Sequence, residues 1–457
     1  MSNRTDLTRL PNRSELIPDG PRVDELFGMG EARIWAEELE QDLADYLAGN
    51  ITWSEMNPGA LLRGPPGTGK TIFAKAVAAS CRLPLIVTSY AQWQRSKSGH
   101  MGDVLAAMHE TFEIARCLAP CIVFIDEIEA VSSRQTSGQN LSWYTGIITA
   151  LNEELHGSRP REGIIVIAAS NYPDRIDAAL LRPGRLDREI EISPADQESL
   201  KGIIRFHLRA DLPNADLGDL SVATIGMTGA DIEQLVRRAR RRARRFKRAL
   251  LTGDLLAVLG EKVDDLPHDL LECIAVHEAG HATAAIAFEV SRNVSVSLFH
   301  LGKGAAATFF DPQLKAVTRK VVEDRIAVAL AGRAAEDVLL GEVTAGAGGS
   351  DDCDLAVATR LAISAVAQWG LSSSKRPIWE QIVAADHALK KEARQMLDAA
   401  YARGLDLMRE RKLQVRAVVA ALLGRRALAH DDIAALLARS GAGVKKAAAP
   451  RRPRKRA

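Results

Sequence analysis

ALLRGPPGTGKT, residues 60–71, decides the fold of this chain. A short apolar run passes into two prolines and two glycines, then into Lys70 and Thr71, with a helix-forming stretch beyond. A strand that feeds a glycine-rich turn at a helix N-terminus makes a phosphate cradle: Gly67 and Gly69 let backbone N–H groups approach phosphate oxygens, and the helix dipole favours negative charge there. A turn that only joined strand to helix would not require Lys-Thr after it. The pattern G-x-x-x-x-G-K-[ST] is met by Gly64, Pro65, Pro66, Gly67, Thr68, Gly69, Lys70 and Thr71. Lys70 is expected to reach the β and γ phosphates and Thr71 to hold Mg2+.

Working outward, the pattern alternates. LPLIVTS, CIVFID and GIIVIAAS read as strands, with helices of a dozen or so residues between them. Fully apolar strands alternating with helices predict a parallel sheet covered on both faces, an α/β fold. CIVFIDE ends in two carboxylates, Asp126 and Glu127, one suited to Mg2+ and the other to activating the attacking water. Asn171 closes the next apolar strand, where a sheet would bring it beside them. In DAALLRPGRLDR, Arg182 and Arg185 are set off by a proline and a glycine that turn the backbone sharply.

The 457 residues are too many for one ordinary domain, and 47% hydrophobic with 26% charged residues is a globular composition. No apolar run is long enough for a membrane helix, and the first residues lack the apolar block of a signal peptide, so a soluble, cytoplasmic protein is expected. Five cysteines, Cys81, Cys117, Cys121, Cys273 and Cys353, with no Cys-x-x-Cys pair, point to reduced thiols, mostly in the core. The net charge of +2 conceals the run RRARRRARRFKR at 237–248 and a basic tail from Lys445. Such runs suit nucleic acid or an acidic membrane, although a solvated helix face is the commoner origin.

A second signature lies in CIAVHEAGHATAAI, residues 273–286. His277 and His281 are four apart, which places them on one face of a helix with Cβ atoms about 5–6 Å apart, close enough to share one metal ion. Glu278 can accept a proton from water activated by that ion. Gly280, inside a helix where alanine would be favoured, suggests close approach of a substrate or another segment. A catalytic zinc needs a third ligand, and His300, Glu336, Asp351, Asp352 and Asp354 all stand downstream; an Asp here could equally cap the following helix.

GPPGTGKT, FIDE, AASN and LLRPGRLDR in this order resemble an AAA+ ATPase module, and TGADIEQL fits its helical lid. That resemblance implies a ring, commonly a homohexamer, in which Arg182 and Arg185 act on the neighbouring subunit's nucleotide. With HEAGH downstream, the chain resembles the FtsH-type ATP-dependent zinc metalloproteases. DLAVATRLA from Asp354 matches that family's Asp-x-x-x-Ala-Thr-x-Leu-Ala, so the resemblance implies Asp354 as third zinc ligand with Asp351 second. AGRAAED implies Glu336 as a supporting carboxylate.

The expected layout is a loose segment over 1–22, an AAA+ core over 23–205, a helical lid over 206–258, a mainly helical zinc metallopeptidase domain over 265–440 and a disordered basic tail over 441–457. The expected function is ATP-driven unfolding and cleavage of protein substrates in quality control, with Zn2+, ATP and Mg2+ as cofactors. The alternative is a remodelling ATPase whose peptidase half is vestigial. Three departures from the family stand out: no membrane helices, His100-Met101-Gly102 at the pore position of an aromatic, aliphatic, glycine triplet, and LHGS near His156 where a subunit-signalling element belongs. Trp93 is a candidate to help grip substrate.

Overall fold

The computed structural model describes residues 12–95, 100–131, 141–156, 161–261, 263–300, 307–312, 316–373, 379 and 387–438. Two compact units emerge, Met1–Leu217 with Met227–Leu250, and Gly218–Gly226 with Leu251–Ala457.

In the first unit, α1 (Gly30–Leu47) repeats small and apolar residues every three or four positions, and Ala32, Trp35, Ala36, Leu39 and Leu43 are buried. Gly49 follows at φ +76°, a conformation that stops the helix at no steric cost. Then come β1 (Gly59–Arg63), α2 (Lys70–Cys81), β2 (Leu85–Ser89), α3 (Tyr90–Arg95), α4 (Met101–Leu118), β3 (Cys121–Asp126), α5 (Leu141–His156), β4 (Ile164–Ser170), β5 (Arg188–Glu191) and α6 (Gln197–Leu208). The five strands form one parallel sheet in the order β2-β3-β4-β1-β5.

Successive residues of the central strands face opposite cores. Leu62, Ile122, Phe124 and Ile167 pack with Trp35, Phe73 and Val77, whereas Leu61, Val123, Ile125 and Val166 pack with Val104, Phe112 and Leu151. Each large apolar side chain buried this way contributes about 1.5–3 kcal/mol. Double-sided burial explains why these strands read as continuous apolar runs. The fifth strand escaped that reading: in Arg188–Glu191 only Ile190 is buried, so an edge strand shows three charged residues and one apolar one.

After α6, α7 (Gly218–Ala223) and α9 (Thr252–Gly260) cluster with the second unit, while α8 (Gly229–Arg245) stays with the first. Thr228 caps α8 by accepting the N–H of Asp231, whose carboxylate in turn accepts from Thr228 N and Oγ1. Ile232, Leu235, Val236, Ala239 and Ala243 face inward, and Arg237, Arg238, Arg241, Arg244 and Arg245 are exposed. Arg240 turns back onto α6, donating to Asp211 and to the carbonyls of His207 and Leu208.

The second unit is built on α10 (His268–Ala287), followed by β6 (Ser291–Ser297), β7 (Ala307–Pro312), α11 (Arg319–Ala329), α12 (Ala331–Leu339), α13 (Asp354–Ala367), α14 (His387–Glu410), α15 (Lys412–Arg425), β8 (Ala427–Leu428) and α16 (His430–Ala438). The three strands form an antiparallel sheet in the order β7-β6-β8, which leaves β7 at an edge. From Ala275 to Ala285 almost every residue of α10 is buried. Alanine dominates there because neighbours approach from several sides and larger side chains would hold them off. Gly280 marks the tightest approach: a Cβ on it would sit 2.4 Å from the Ala331 carbonyl and 2.7 Å from Ala335 Cβ. The segment that Gly280 admits is α12.

No helix among the described residues is long and apolar enough to cross a membrane. All five cysteines are free, but only Cys121 is fully buried; the other four are half-buried or exposed.

A candidate nucleotide cavity and a candidate metal centre

A parallel sheet places all its strand C-termini along one edge, and there the first unit opens a cavity of about 350 Å3. Its walls include Pro66, Gly67 and Gly69 from the loop after β1, Lys70 and Thr71 at the start of α2, Asp126 at the end of β3 with Glu127 after it, and Asn171 just past β4. Gly67 and Gly69 hold φ +82° and +102°, which L side chains rarely adopt. A Cβ on Gly67 would fall 2.8 Å from Thr228 Oγ1, so the start of α8 also needs glycine there. Lys70 is buried and its Nζ donates to the carbonyls of Gly64 (2.7 Å) and Pro65 (2.8 Å). Burial lowers its pKa, with the charges of Asp126 and Glu129 opposing. Thr68 Oγ1 donates to the Pro65 carbonyl.

Thr71 Oγ1 donates to Asp126 Oδ2 at 3.3 Å, pairing a hydroxyl and a carboxylate at the mouth of the loop. Hard oxygen donors of this kind suit Mg2+ beside phosphates, so the residues present fit Mg-nucleotide. Glu127 is held at φ +52°, a left-handed conformation uncommon outside glycine.

Two residues of this region went unread in the sequence. Glu129 is buried, accepts the Asn171 N–H at 3.1 Å and so fixes the start of the loop after β4. His207, at the end of α6, lines the cavity with Gly229, Ala230 and Glu233 of α8. Neither had a signal, because a carboxylate one turn past a strand and a histidine on an amphipathic helix are ordinary in isolation. Arg182 and Arg185 do not line this cavity. Arg182 is exposed, whereas Arg185 donates to Asn152 Oδ1 (2.6 Å) and to the Ala179 carbonyl (2.5 Å).

Of the residues considered for gripping substrate, Trp93 is buried in the core and donates to Thr111 Oγ1 at 3.1 Å. It cannot reach a substrate. His100 is exposed at the start of α4, while Met101 lies over α5, where a Cβ on Gly146 would fall 1.9 Å from Met101 Cε. Residues 96–99, the LHGS segment beyond His156 and the basic tail lie outside the described residues.

In the second unit His277 and His281 stand one turn apart on α10 with rings 4.7 Å apart. Their Nε2 atoms lie 3.0 Å from each other, and Asp354 Oδ2 lies 3.0 Å from His277 Nε2 and 3.3 Å from His281 Nε2. Atoms about 2.0–2.1 Å from one tetrahedral ion are about 3.3 Å apart, so the triangle has the right size for zinc. The tautomers fit too. His281 Nδ1 faces the Val328 carbonyl at 2.8 Å and His277 Nδ1 faces Glu336 Oε1 at 2.6 Å, both acceptors. With both Nδ1 atoms donating, neutral rings direct bare Nε2 lone pairs at each other and at a carboxylate, an arrangement that a cation stabilises.

The surrounding carboxylates likewise favour positive charge at this spot. Burial alone would lower the pKa of His277, but hydrogen bonds to Asp354 and Glu336 and the charge of Glu278 push it up to about 10. Burial of Asp354 works the other way and is outweighed by its histidine partners, which hold its carboxyl well below the usual range. Glu336 is buried; hydrogen bonds from His277 and the Thr344 N–H (2.6 Å) overcome burial and lower its pKa. The sequence alternatives separate clearly. Asp354 does not cap its helix, Asp351 and Asp352 are exposed outside the cluster, Glu336 braces His277 from behind, and the side chain of His300 lies outside the described residues.

Glu278 is buried beside this cluster, and Thr308 Oγ1 on β7 donates to its Oε2 at 2.6 Å. Burial raises its pKa against the opposing effects of His281, Thr308 and His277, giving a carboxylate more basic than usual. Gly332 on α12 leaves the room the cluster needs: a Cβ there would fall 2.6 Å from both Nε2 atoms. Gly332→Ala is accordingly expected to weaken zinc binding by about tenfold or more without unfolding α12, since alanine favours helix. Metal content of the purified variant checks this, and a full complement of zinc would refute it.

Comparison with known proteins supports both halves of the chain. Residues 60–194 match the ATPase family associated with various cellular activities (AAA), and residues 268–436 match peptidase family M41. The chain is 33% identical to ATP-dependent zinc metalloprotease FtsH 3 of Sphaerobacter thermophilus over 458 residues, covering 93% of this chain and 90% of that protein. It is 34% identical to FtsH 1 of Symbiobacterium thermophilum over 445 residues, covering 90% and 74% of the two chains. It is 35% identical to FtsH of Thermus thermophilus over 389 residues, covering 80% and 60%. Nothing among the described residues of the second unit favours a vestigial peptidase half, since the two histidines, a carboxylate beside them and a buried glutamate converge in one place. An ATPase module and a peptidase module in one chain, matched over 80–93% of its length by these relatives, make this protein a member of the FtsH family of ATP-dependent zinc metalloproteases.

Proposed function

We propose that a homohexameric ring of this chain uses ATP hydrolysis in its core (23–205) and lid (206–258) to draw protein substrates toward zinc sites in its peptidase domain (265–440). The observation that carries the reading is the convergence of His277 Nε2, His281 Nε2 and Asp354 Oδ2 beside the buried Glu278, in a chain that also carries Thr71 against Asp126 behind a glycine-rich loop. His277, His281 and Asp354 would hold Zn2+, with Glu336 and the Val328 carbonyl fixing the imidazoles. Bound zinc supplies Lewis-acid chemistry, polarising the scissile carbonyl and lowering the pKa of water toward about 7. The Glu278 carboxylate would take the proton of the attacking water and pass it to the leaving amine. Thr308 holds that carboxylate in place, and the edge of β7 offers backbone groups alongside which an extended substrate can lie.

In the first unit the N–H groups of Gly67 and Gly69 with Lys70 would cradle phosphates, Thr71 and Asp126 would hold Mg2+, and Glu127 and Asn171 would orient the attacking water. Arg182 and Arg185 would serve the neighbouring subunit's nucleotide, which accords with their absence from their own chain's cavity. The test pairs two substrates with two removals. Zinc- and Mg-ATP-loaded protein is expected to degrade a folded and an unfolded protein. Stripping the metal with a zinc chelator should abolish both degradations yet leave ATP hydrolysis, and omitting ATP should leave only the cleavage of short peptides. Undiminished degradation after chelation would refute the zinc site.

A further inference from the structure

The cavity that holds His277, Glu278 and His281 measures about 870 Å3 and is walled mostly by apolar side chains, among them Leu270, Ile274, Val290, Phe310 and Leu361. Into this wall α11 brings a single arginine, Arg325. It stands three residues before Val328, whose carbonyl accepts from His281, so the two share a helix face about 4.5 Å apart along the axis. Arg325 and the three residues of the metal cluster line this one cavity.

The carboxylates of the cavity are already engaged. Asp354 lies against both histidines, Glu336 accepts from His277 and the Thr344 N–H, and Glu278 accepts from Thr308. Arg325 is half-buried, and it makes no hydrogen bond or ion pair among the described residues. Neighbouring arginines differ: Arg319 pairs with Glu323 and Glu392, and Arg403 pairs with Asp324. A guanidinium stays charged at any working pH and presents donors in a planar fork. Half-buried in an apolar wall without an acceptor it is costly, and a carboxylate entering the cavity would meet two of its N–H groups at once.

We propose that Arg325 forms a carboxylate-binding subsite, so that this protease favours peptides placing an acidic group next to the bond at the metal cluster. The proposal rests on reading His277, His281 and Asp354 as the metal centre. The acidic group has two sources with the same chemistry, an Asp or Glu side chain or the terminal carboxylate of the substrate chain.

The test uses full-length Glu278→Gln protein loaded with Zn2+, which binds without turning over, and fluorescein-labelled hexapeptides with amidated ends. One Glu is moved through the positions of a Gln-containing parent, and a further peptide carries a free C-terminal carboxylate. At one position, or at the free terminus, the acidic peptide is expected to bind about tenfold tighter than its neutral twin, as a charged hydrogen bond discounted for partial exposure predicts. Arg325→Gln in the same background should erase the difference, Arg325→Lys should keep part of it, and Arg325→Glu should shift the preference to a Lys-bearing peptide. The responding position tells side chain from terminus. Equal affinities throughout, or a preference that survives Arg325→Gln, overturn the subsite. If the pattern holds but the Zn2+-loaded protein with Glu278 intact leaves these peptides uncut, the peptidase reading fails and the subsite stands.

Discussion

Glu278→Gln is expected to lower peptide cleavage by about 10^3-fold, within the 10^2 to 10^4 range that a positioned general base supplies. The substitution is nearly isosteric, and the new amide oxygen can still accept the hydroxyl of Thr308, which now sits 2.6 Å from Glu278 Oε2. His277, His281 and Asp354 keep their mutual contacts, so zinc content should stay near one ion per chain. Removal of a buried carboxylate whose pKa burial already raises should not destabilise the helix, because the neutral side chain has no charge to desolvate. The loss therefore falls on proton transfer alone. ATP hydrolysis, carried by another unit, should stay within about twofold, since distant independent sites rarely couple strongly. Cleavage of a fluorogenic peptide, metal content and phosphate release measured on one preparation decide the matter. Peptide turnover within tenfold of the parent would remove Glu278 from its role.

Glu127→Gln should stop ATP hydrolysis by about 10^2-fold or more while leaving ATP bound. Glu127 holds no part of the phosphate loop: its N–H donates to Asp126 Oδ1 at 3.0 Å, and its backbone at φ +52° turns it out of the strand into the cavity. Lys70 would be a poorer choice, because its ammonium also ties the Gly64 and Pro65 carbonyls together and its loss would loosen the loop itself. In the Glu127→Gln protein a folded substrate should persist, and a short peptide should still be cut. That split separates the motor from the cutting chemistry. Binding of a labelled ATP analogue, phosphate release and degradation of a folded protein supply the readouts, and normal hydrolysis would assign water activation to another residue.

Much of the candidate site was legible because its chemistry is local. The phosphate loop needs consecutive backbone N–H groups, so Gly64 through Thr71 carry it in one run. His277, Glu278 and His281 lie on one turn and a bit of α10, where helix periodicity alone brings them together. The apolar strands announced themselves because burial on both faces leaves no polar residue to interrupt them. Edge elements were hidden for the opposite reason: β5 and the two residues of β8 have too little buried surface to impose a pattern. Trp93 shows the limit of reading an aromatic near a candidate pore position, since an aromatic serves a core as readily as a grip.

What the sequence by itself determined is therefore the chemistry of contiguous segments: a strand, loop and helix that cradle phosphate, and a helical turn with two imidazoles and a carboxylate. What only the tertiary structure decided is which distant groups complete them. Asp354 reaches His277 across 77 residues and Glu336 across 59, and no helical or strand period spans such gaps. Gly332 makes room for both imidazoles by lacking a side chain, which no local pattern records. Arg325 faces the cavity without a partner among the described residues only because α11 packs with that side inward. Local sequence fixes periodicity and backbone propensity, whereas side chains far apart in the chain meet through the packing of whole helices, and that packing is a property of the folded molecule.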